Sequence, residues 1–312
     1  MMKALIISDG KPGHVNQSLA LAKHLELDYD ILNVSFKSIF SKVLSYLYDW
    51  IFIYNFNIYN ESLKLRSSEY KIIISTGSST FYANKLLKNK LKIKNIAILY
   101  PKGYRLNFNY IIAPTYDKIL NNKNVIKIPI NISNSNEDWF KKMANSFINE
   151  VHEPNNNAVG IIIGGPNEKK DININDLRKQ IEIIISNNNN KEVWVTTSRR
   201  TTKEIENLLN DFSFDYKLEF SKNKYNPIPA FIELCDNLYI TADSTTMISE
   251  AVSYGKSNVF IIPVESKTKK DKFDKFCDIL VNYNAANFLS KNAIPANKKI
   301  FINKIIKSKI KI

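Results

Sequence analysis

The sequence is poor in the residues that build disulfide frameworks and metal sites. Among 312 residues there are two cysteines, Cys235 and Cys277, and they form no CxxC pair. The three histidines, His14, His24 and His152, do not cluster at the spacing of metal ligands. A disulfide framework is therefore excluded, and no bound metal is predicted.

Long apolar runs are also missing, and no leader segment is predicted. No uncharged apolar run reaches the length of about 18 residues that a membrane-spanning helix needs. The first residues, Met1–Ile7, lead directly into a glycine-containing loop, without the apolar region or the cleavage site of a signal peptide. We therefore expect a cytoplasmic protein.

Acidic residues are outnumbered by basic ones. The chain has 30 Asp and Glu against 44 Lys and Arg, which gives a formal net charge of +14. Such an excess favours an anionic partner, for example a nucleotide or anionic lipid headgroups. A lysine-rich composition explains the same excess, because the lysines are spread along the chain, with some concentration near its end. Nucleic acid is not among the predicted partners.

The length and the order of apolar runs predict two domains. A chain of 312 residues with 44% hydrophobic residues has room for two cores. Alternating strand and helix patterns begin at Lys3 and start again at Ala158, after a polar stretch over 149–157 that contains Pro154. The predicted domains are residues 1–150 and 151–312, both Rossmann-like α/β folds. Facing loop edges would leave a ligand cleft between them.

The loop after the first predicted strand is the main candidate site of the first domain. It reads Ser8-Asp-Gly-Lys-Pro-Gly-His14, which matches neither the GxGxxG nor the Walker pattern. Asp9 and His14 are candidate acid–base groups, and Gly10 and Gly13 permit close approach of a ligand to the backbone. The alternative is a tight turn without a ligand. Polar turns after later strands, at Thr76 and Tyr100, should reach the same sheet edge.

Four turns of the second domain predict an anion site. They are Gly164-Gly165, the segment Thr197-Ser198-Arg199-Arg200, Asn226, and the start of the helix at Asp243-Ser244-Thr245. Arginines and helix N-termini suit a diphosphate without a metal ion. Glu250, one turn into that helix, could accept hydrogen bonds from a sugar diol. The alternative is that Asp243 or Ser244 only caps the helix.

The segment from Phe36 to Tyr59 is aromatic and apolar, and two interpretations of it stay open. It is either a helix buried in the core or a patch that contacts a membrane surface or a lipid substrate.

Taken together, the motifs resemble the mitochondrial fission Elm family, whose bacterial members are grouped with glycosyltransferases. The resemblance spans about residues 3–280. It rests on Ser8–His14 with Asn16-Gln17, Gly164-Gly-Pro166, Thr196–Thr201, Thr241-Ala-Asp-Ser244, Met247–Ala251 and Gly255-Lys256. Two segments depart from the family pattern. Tyr100–Arg105 stands in place of a Gln-x-x-Asp-Pro-type turn, and Ser257-Asn258 stands in place of Pro-Val.

The resemblance implies a GT-B arrangement, in which the C-terminal domain holds most of the nucleotide-sugar donor. It also implies that Gly13 and His14 face the cleft, that Met247 belongs to the donor site, and that Glu250 grips the donor ribose. The first loop is similar to that of MurG-type transferases, where it faces the acceptor and the donor diphosphate.

We therefore expect a metal-independent glycosyltransferase that uses its donor as substrate and needs no other cofactor. Asp9 or His14 would act as general base, and the arginines would stabilise the departing diphosphate. The expected acceptor is a cell-envelope glycan, such as lipopolysaccharide, or a lipid-linked sugar, and the protein would lie peripherally on the inner membrane. The alternatives are a non-hydrolysing nucleotide-sugar epimerase and a non-enzymatic membrane-associated scaffold.

Overall fold

A computed structural model describes residues 2–61, 65, 69–133, 137–268 and 271–311. The chain folds into two compact units, one made of residues 1–134 and 302–312 and the other of residues 135–301.

The first unit is built on a parallel sheet of six strands. Its strands are β1 (Lys3–Ser8), β2 (Asp28–Asn33), β3 (Tyr70–Thr76), β4 (Lys94–Ile98), β5 (Tyr110–Pro114) and β6 (Val125–Ile128). Its helices are α1 (Pro12–His24), α2 (Ile39–Trp50), α3 (Phe81–Leu91) and, from the end of the chain, α10 (Ile302–Lys309). The strand order is β2-β1-β3-β4-β5-β6. The order reverses direction between β1 and β3, and ligands of open α/β sheets bind at such a switch point.

The second unit repeats this plan with a second parallel six-stranded sheet. The eight strands of this unit in the described residues are β7 (Ala158–Ile163), β8 (Lys170–Asp171), β9 (Glu192–Thr197), β10 (Tyr216–Leu218), β11 (Asn237–Thr241), β12 (Asn258–Ile262), β13 (Glu265–Ser266) and β14 (Asn287–Phe288). Its helices are α4 (Glu137–Glu150), α5 (Ile174–Ser186), α6 (Lys203–Leu208), α7 (Ile228–Leu234), α8 (Thr245–Ser253) and α9 (Lys272–Asn282). The main sheet has the order β10-β9-β7-β11-β12-β14, and β8 and β13 form a separate antiparallel pair.

The central strands are apolar because both faces of each sheet are covered. Every residue of β7 is buried, and Ile72, Ile73 and Ile74 of β3 have no exposed surface. Near-continuous runs of isoleucine and valine are typical of parallel strands that are packed on both sides.

The boundary between the units lies at 134/135, not at 150/151 as the sequence predicted. The reason is the packing of α4, which belongs to the second unit. Phe147 of α4 is fully buried and lies 5.3 Å from the ring of Trp194 and 6.1 Å from that of Phe231. The polar stretch predicted as the linker is therefore a loop inside the second unit, and His152 from this loop contacts Glu192 at 2.9 Å.

The predicted basic helix at the end of the chain is present as α10, and it belongs to the first unit. The Lys307 ammonium pairs with Glu26 at 2.5 Å, and the Lys311 carbonyl oxygen accepts hydrogen bonds from Lys94 and Tyr110. Residues 302–312 therefore do not belong to the second domain in which the sequence placed them.

The segment Phe36–Tyr59 agrees only in part with the core interpretation. Ile58 and Tyr59 are buried, and Tyr46 packs against the core, whereas Ile39 is 86% and Phe40 70% exposed. One side of the segment therefore belongs to the core, and the outer side of α2 is an exposed apolar patch. Over the described residues, no helix has the length and apolar character needed to cross a membrane.

Candidate functional site

The loop after β1 brings Asp9 and His14 into contact at the switch point of the first sheet. The His14 Nδ1 atom lies 3.1 and 3.0 Å from the two carboxylate oxygens of Asp9. The Asp9 side chain is 5% exposed, whereas that of His14 is 25% exposed. Gly10 has a left-handed φ of +75°, and Pro12 begins α1, so the loop turns sharply into the helix that carries His14.

The contact orients the His14 imidazole, and the two side chains differ in their exposure to solvent. A carboxylate that accepts from Nδ1–H fixes the imidazole tautomer and leaves Nε2 as the acceptor atom. The nearly buried Asp9 is turned toward the imidazole, and His14 presents the outer surface of the pair.

Gly77, which the sequence analysis did not single out as a site residue, supports the imidazole ring. A Cβ atom at Gly77 would lie 2.4 Å from His14 Cε1, and the φ of +87° also requires glycine. The end of β3 is further joined to α1 by a 2.7 Å contact between the hydroxyls of Ser18 and Thr76. The only signal for Gly77 in the sequence was the small-residue turn that follows the strand.

The three turns of the first sheet meet as the sequence predicted. Besides the contacts of His14 with Gly77, the Tyr104 hydroxyl donates to the Ser78 carbonyl oxygen at 3.0 Å. Beside Gly10 and Gly13, by contrast, an added Cβ atom would meet nothing within 4 Å. Packing within the chain therefore does not require a glycine at 13.

In the second unit, Asp243 is the centre of the contacts between the turns. Its carboxylate is fully buried and accepts from the Thr241 hydroxyl at 2.6 Å and from the Gly165 N–H at 3.1 Å. The Arg200 guanidinium completes the group with an ion pair. The Gly164 N–H donates to Thr241 Oγ1 at 2.7 Å.

The pair Gly164-Gly165 is required by this packing. A Cβ atom at Gly164 would lie 2.1 Å from the Asp243 carboxylate oxygens, and one at Gly165 would lie 2.0 Å from the Arg200 carbonyl oxygen. Contacts this short cannot form, so both glycines serve the junction of β7 with the turns after β9 and β11.

The position of Asp243 corrects one expectation, and the two neighbouring arginines differ in their contacts. Asp243 neither caps α8 nor reaches the surface, because its carboxylate is buried and occupied by three donors. The cap is Ser244, whose Oγ accepts from the Met247 N–H at 3.4 Å. Arg199 and Arg200 are both exposed, and the Arg200 side chain keeps 41% exposure although its guanidinium is paired with Asp243. Both predicted phosphate-binding arginines are therefore accessible, and they differ in that Asp243 holds Arg200 in place.

The remaining turn residues divide into anchored and isolated ones. The Ser198 N–H donates to Thr201 Oγ1, and that hydroxyl donates to the Gly164 carbonyl oxygen at 2.6 Å. Thr197 is buried and accepts from the Phe220 N–H at 2.8 Å. Asn226 starts the turn before α7, and among the described residues no hydrogen bond joins it to the other three turns.

On helix α8, Thr245 and Glu250 are half-buried and partly accessible to solvent. Met247 is almost buried, at 9% exposure, and packs inward. Glu250 is half-buried, and no described residue donates a hydrogen bond to its carboxylate or forms an ion pair with it. Desolvation by the surrounding protein raises the pKa of Glu250 to about 7. A carboxyl group in this state gains when a ligand supplies hydrogen-bond donors.

A cavity of about 400 Å³ lies elsewhere in the second unit, between α5 and the segment after β12. It is lined by Ile172, Asn173, Asp176, Lys179, Gln180, Pro263, Val264 and Glu265. None of the residues predicted from the sequence belongs to it. Within the described ranges, no group of three or more His, Cys, Asp or Glu is placed to hold a metal ion.

Comparison with known proteins gives matches over almost the whole chain. A model of the family described as mitochondrial fission ELM1 matches residues 12–301. The uncharacterized protein RP120 of Rickettsia prowazekii (strain Madrid E) is 26% identical over 367 residues, with 100% of this chain and 99% of the relative covered.

Two solved structures align over most of the chain at low sequence identity. The UDP-GlcNAc 2-epimerase from Methanocaldococcus jannaschii aligns with a TM-score of 0.54 and 14% identity, covering 100% of this chain and 92% of that one. The ADP-heptose lps heptosyltransferase II of E. coli aligns with a TM-score of 0.45 and 9% identity, covering 90% and 98%. The match to the epimerase confirms the predicted fold class of two Rossmann-like α/β domains of the GT-B type.

Proposed function

The chain belongs to the mitochondrial fission ELM1 family, and from this premise we propose that it is a glycosyltransferase that uses a nucleotide-sugar donor. The observation that carries the proposal is the Asp9–His14 pair at the switch point of the first sheet. Glycosyl transfer needs a base at the acceptor hydroxyl and a cationic or dipolar site at the diphosphate. We propose that His14 is this base and that the first turn of α8 supplies the dipolar site.

His14 is the proposed general base, and Asp9 is the residue that positions it. The acceptor oxygen attacks the anomeric carbon, the bond from that carbon to the diphosphate oxygen breaks, and the hydroxyl proton moves to His14 Nε2. Asp9 stabilises the resulting imidazolium through Nδ1–H, at the distances of 3.0 and 3.1 Å. The contact with Gly77 holds the ring in place.

The proposed donor site lies at the carboxyl edge of the second sheet. The first turn of α8, with Ser244 and Thr245, would bind the diphosphate through backbone N–H groups and the helix dipole. Arg199 would supply the mobile positive charge, while Asp243 holds Arg200 and the Gly165 turn in position. No step of this scheme requires a metal ion.

Glu250 is the proposed contact for the donor ribose. Its carboxylate has no protein donor among the described residues, and its pKa is raised to about 7 by desolvation. Two sugar hydroxyls would satisfy the ionised form and lower that pKa.

We propose a cell-envelope glycan or a lipid-linked sugar as the acceptor, used at the inner membrane. The net charge of +14 and the exposed apolar side chains of α2 support an acceptor presented on an anionic surface.

Donor binding is tested first, by thermal shift with UDP, GDP, CMP and ADP sugars. One of them should raise the melting temperature of the wild type, and Glu250→Ala should reduce this shift. His14→Ala should keep the shift and lose transfer to acceptor. If no nucleotide sugar stabilises the protein, the proposed function is wrong and the scaffold alternative gains support.

The epimerase alternative shares the fold, because the M. jannaschii enzyme is a UDP-GlcNAc 2-epimerase. Product analysis without any acceptor separates the two chemistries. An epimerase converts the donor alone, whereas a transferase consumes the donor only when an acceptor hydroxyl is present.

A further inference from the structure

The most buried residues of helix α2 are polar, whereas the side that faces solvent is apolar. Its buried residues are Ser41, Ser45 and Asp49, spaced four apart along one face. Its outer face continues into the residues after the helix. We call this outer face the α2 surface, and it consists of Ile39, Phe40, Val43, Leu47, Trp50 and Phe52, each more than half exposed. A surface helix of a soluble protein normally has the opposite orientation.

Buried hydrogen bonds fix this orientation. The Asp49 carboxylate accepts from Lys85 Nζ at 2.7 and 2.8 Å and from the Arg105 N–H at 2.7 Å. The Ser45 hydroxyl lies 2.8 Å from that of Tyr104. Rotating α2 to bury its apolar side would expose or orphan these groups, and a buried charge left without its partner is strongly destabilising.

The outer residues are also held in place. The Trp50 indole N–H donates to the Gly103 carbonyl oxygen at 2.9 Å, and the Arg105 guanidinium lies 3.6 Å from the centre of the Phe52 ring. The apolar residues therefore form a preorganised surface.

The segments that form the α2 surface carry mainly basic charges, and the acidic Glu61 beyond them is bonded to Ser35. Lys37 and Lys102 are exposed beside it, and Lys42 is half-buried within the helix. Residues 36–59 and 100–105 contain a single acidic residue, Asp49, and its charge is neutralised inside the protein. An apolar face with tryptophan and a cationic rim matches the interface of an anionic bilayer.

We propose that the α2 surface docks the protein on an anionic phospholipid bilayer. The apolar side chains enter the boundary between headgroups and acyl chains, and the lysines contact the headgroup phosphates. This contact does not depend on the transfer chemistry, and its test contains no donor, so either proposal can fail alone.

The test is co-sedimentation of the full chain with vesicles of phosphatidylcholine and anionic phosphatidylglycerol. The variant Phe40→Ser/Leu47→Ser should bind about tenfold or more weakly, because each removed apolar group loses burial in the interface. Leu120→Ser/Ile294→Ser is the matched control, since these side chains are 69% and 73% exposed and lie outside the α2 surface. The control should bind as the wild type does. All three proteins should melt at the same temperature.

Several outcomes would overturn the proposal. They are no binding of the wild type to anionic vesicles, equal binding to pure phosphatidylcholine, and equal binding of the Phe40→Ser/Leu47→Ser variant. A wild-type dimer that this variant converts to a monomer would assign the α2 surface to a second copy of the chain instead.

Discussion

Raising the pH from about 6 to about 8 should strengthen binding of a nucleotide sugar roughly tenfold, because Glu250 changes its charge in this window. Its pKa lies at about 7 without ligand, since the carboxyl group is desolvated and has no donor among the described residues. The ionised form accepts the ribose hydroxyls. Below the pKa, protonation competes with binding, so affinity falls as the pH falls.

The size of the effect follows from the ionised fraction. With a pKa of about 7, roughly nine tenths of the Glu250 carboxyls are charged at pH 8 and roughly one tenth at pH 6. If the bound form is fully ionised, the apparent dissociation constant changes by the ratio of these fractions, about tenfold.

This change is measured by isothermal titration calorimetry. The ligand is the intact nucleotide sugar that raises the melting temperature in the thermal-shift experiment. The intact donor is the right ligand because its diphosphate diester keeps its charge over this range. Glu250→Gln is the control, because the amide has nearly the same shape and does not titrate. An affinity that is flat with pH in the wild type, or a slope that persists in Glu250→Gln, would refute the assigned role of Glu250.

Three substitutions test the contacts around the two sites. Gly77→Ala should lower the transfer rate about 100-fold with donor affinity unchanged, because the new methyl group displaces His14. Steady-state kinetics measure the transfer rate, and calorimetry measures the donor affinity. An unchanged rate would contradict the role of His14. Asp243→Ala should lower the free energy of unfolding by roughly 3 kcal/mol in urea titration, since a buried carboxylate with three donors is removed. A loss near zero would argue against Asp243 as the residue that joins these turns. Phe147→Ala should cost about 3–5 kcal/mol in the same assay if α4 belongs to the core of the second unit.

The strands and most turns could be predicted because their signals are local. Isoleucine-rich runs such as Ile72–Ile74 end in small polar residues, and this pattern alone marks a parallel strand and the loop at its carboxyl end. The same locality explains why the Asp9–His14 loop was found, since its two members are five residues apart.

What could not be predicted depends on partners that are distant in the chain. Asp243 looked like a cap or a ligand contact, because its partner Gly165 lies 78 residues away. The sequence marked the segment Phe36–Tyr59 as aromatic and apolar but not which side of α2 faces the protein. That choice is made by Asp49, whose partners Lys85 and Arg105 belong to other segments.

The return of the chain to its first unit has a consequence for synthesis in the cell. Helix α10 and the residue after it bury Ile302, Ile306 and Ile310 in a unit whose other residues are translated first. The first unit therefore lacks these side chains until residues 302–311 have been translated, whereas the second unit has all its residues by position 301. Domains usually fold from the N-terminal end during synthesis. Here the second unit has all its residues first, and a nascent chain that stops before residue 302 lacks one helix of the unit that carries His14.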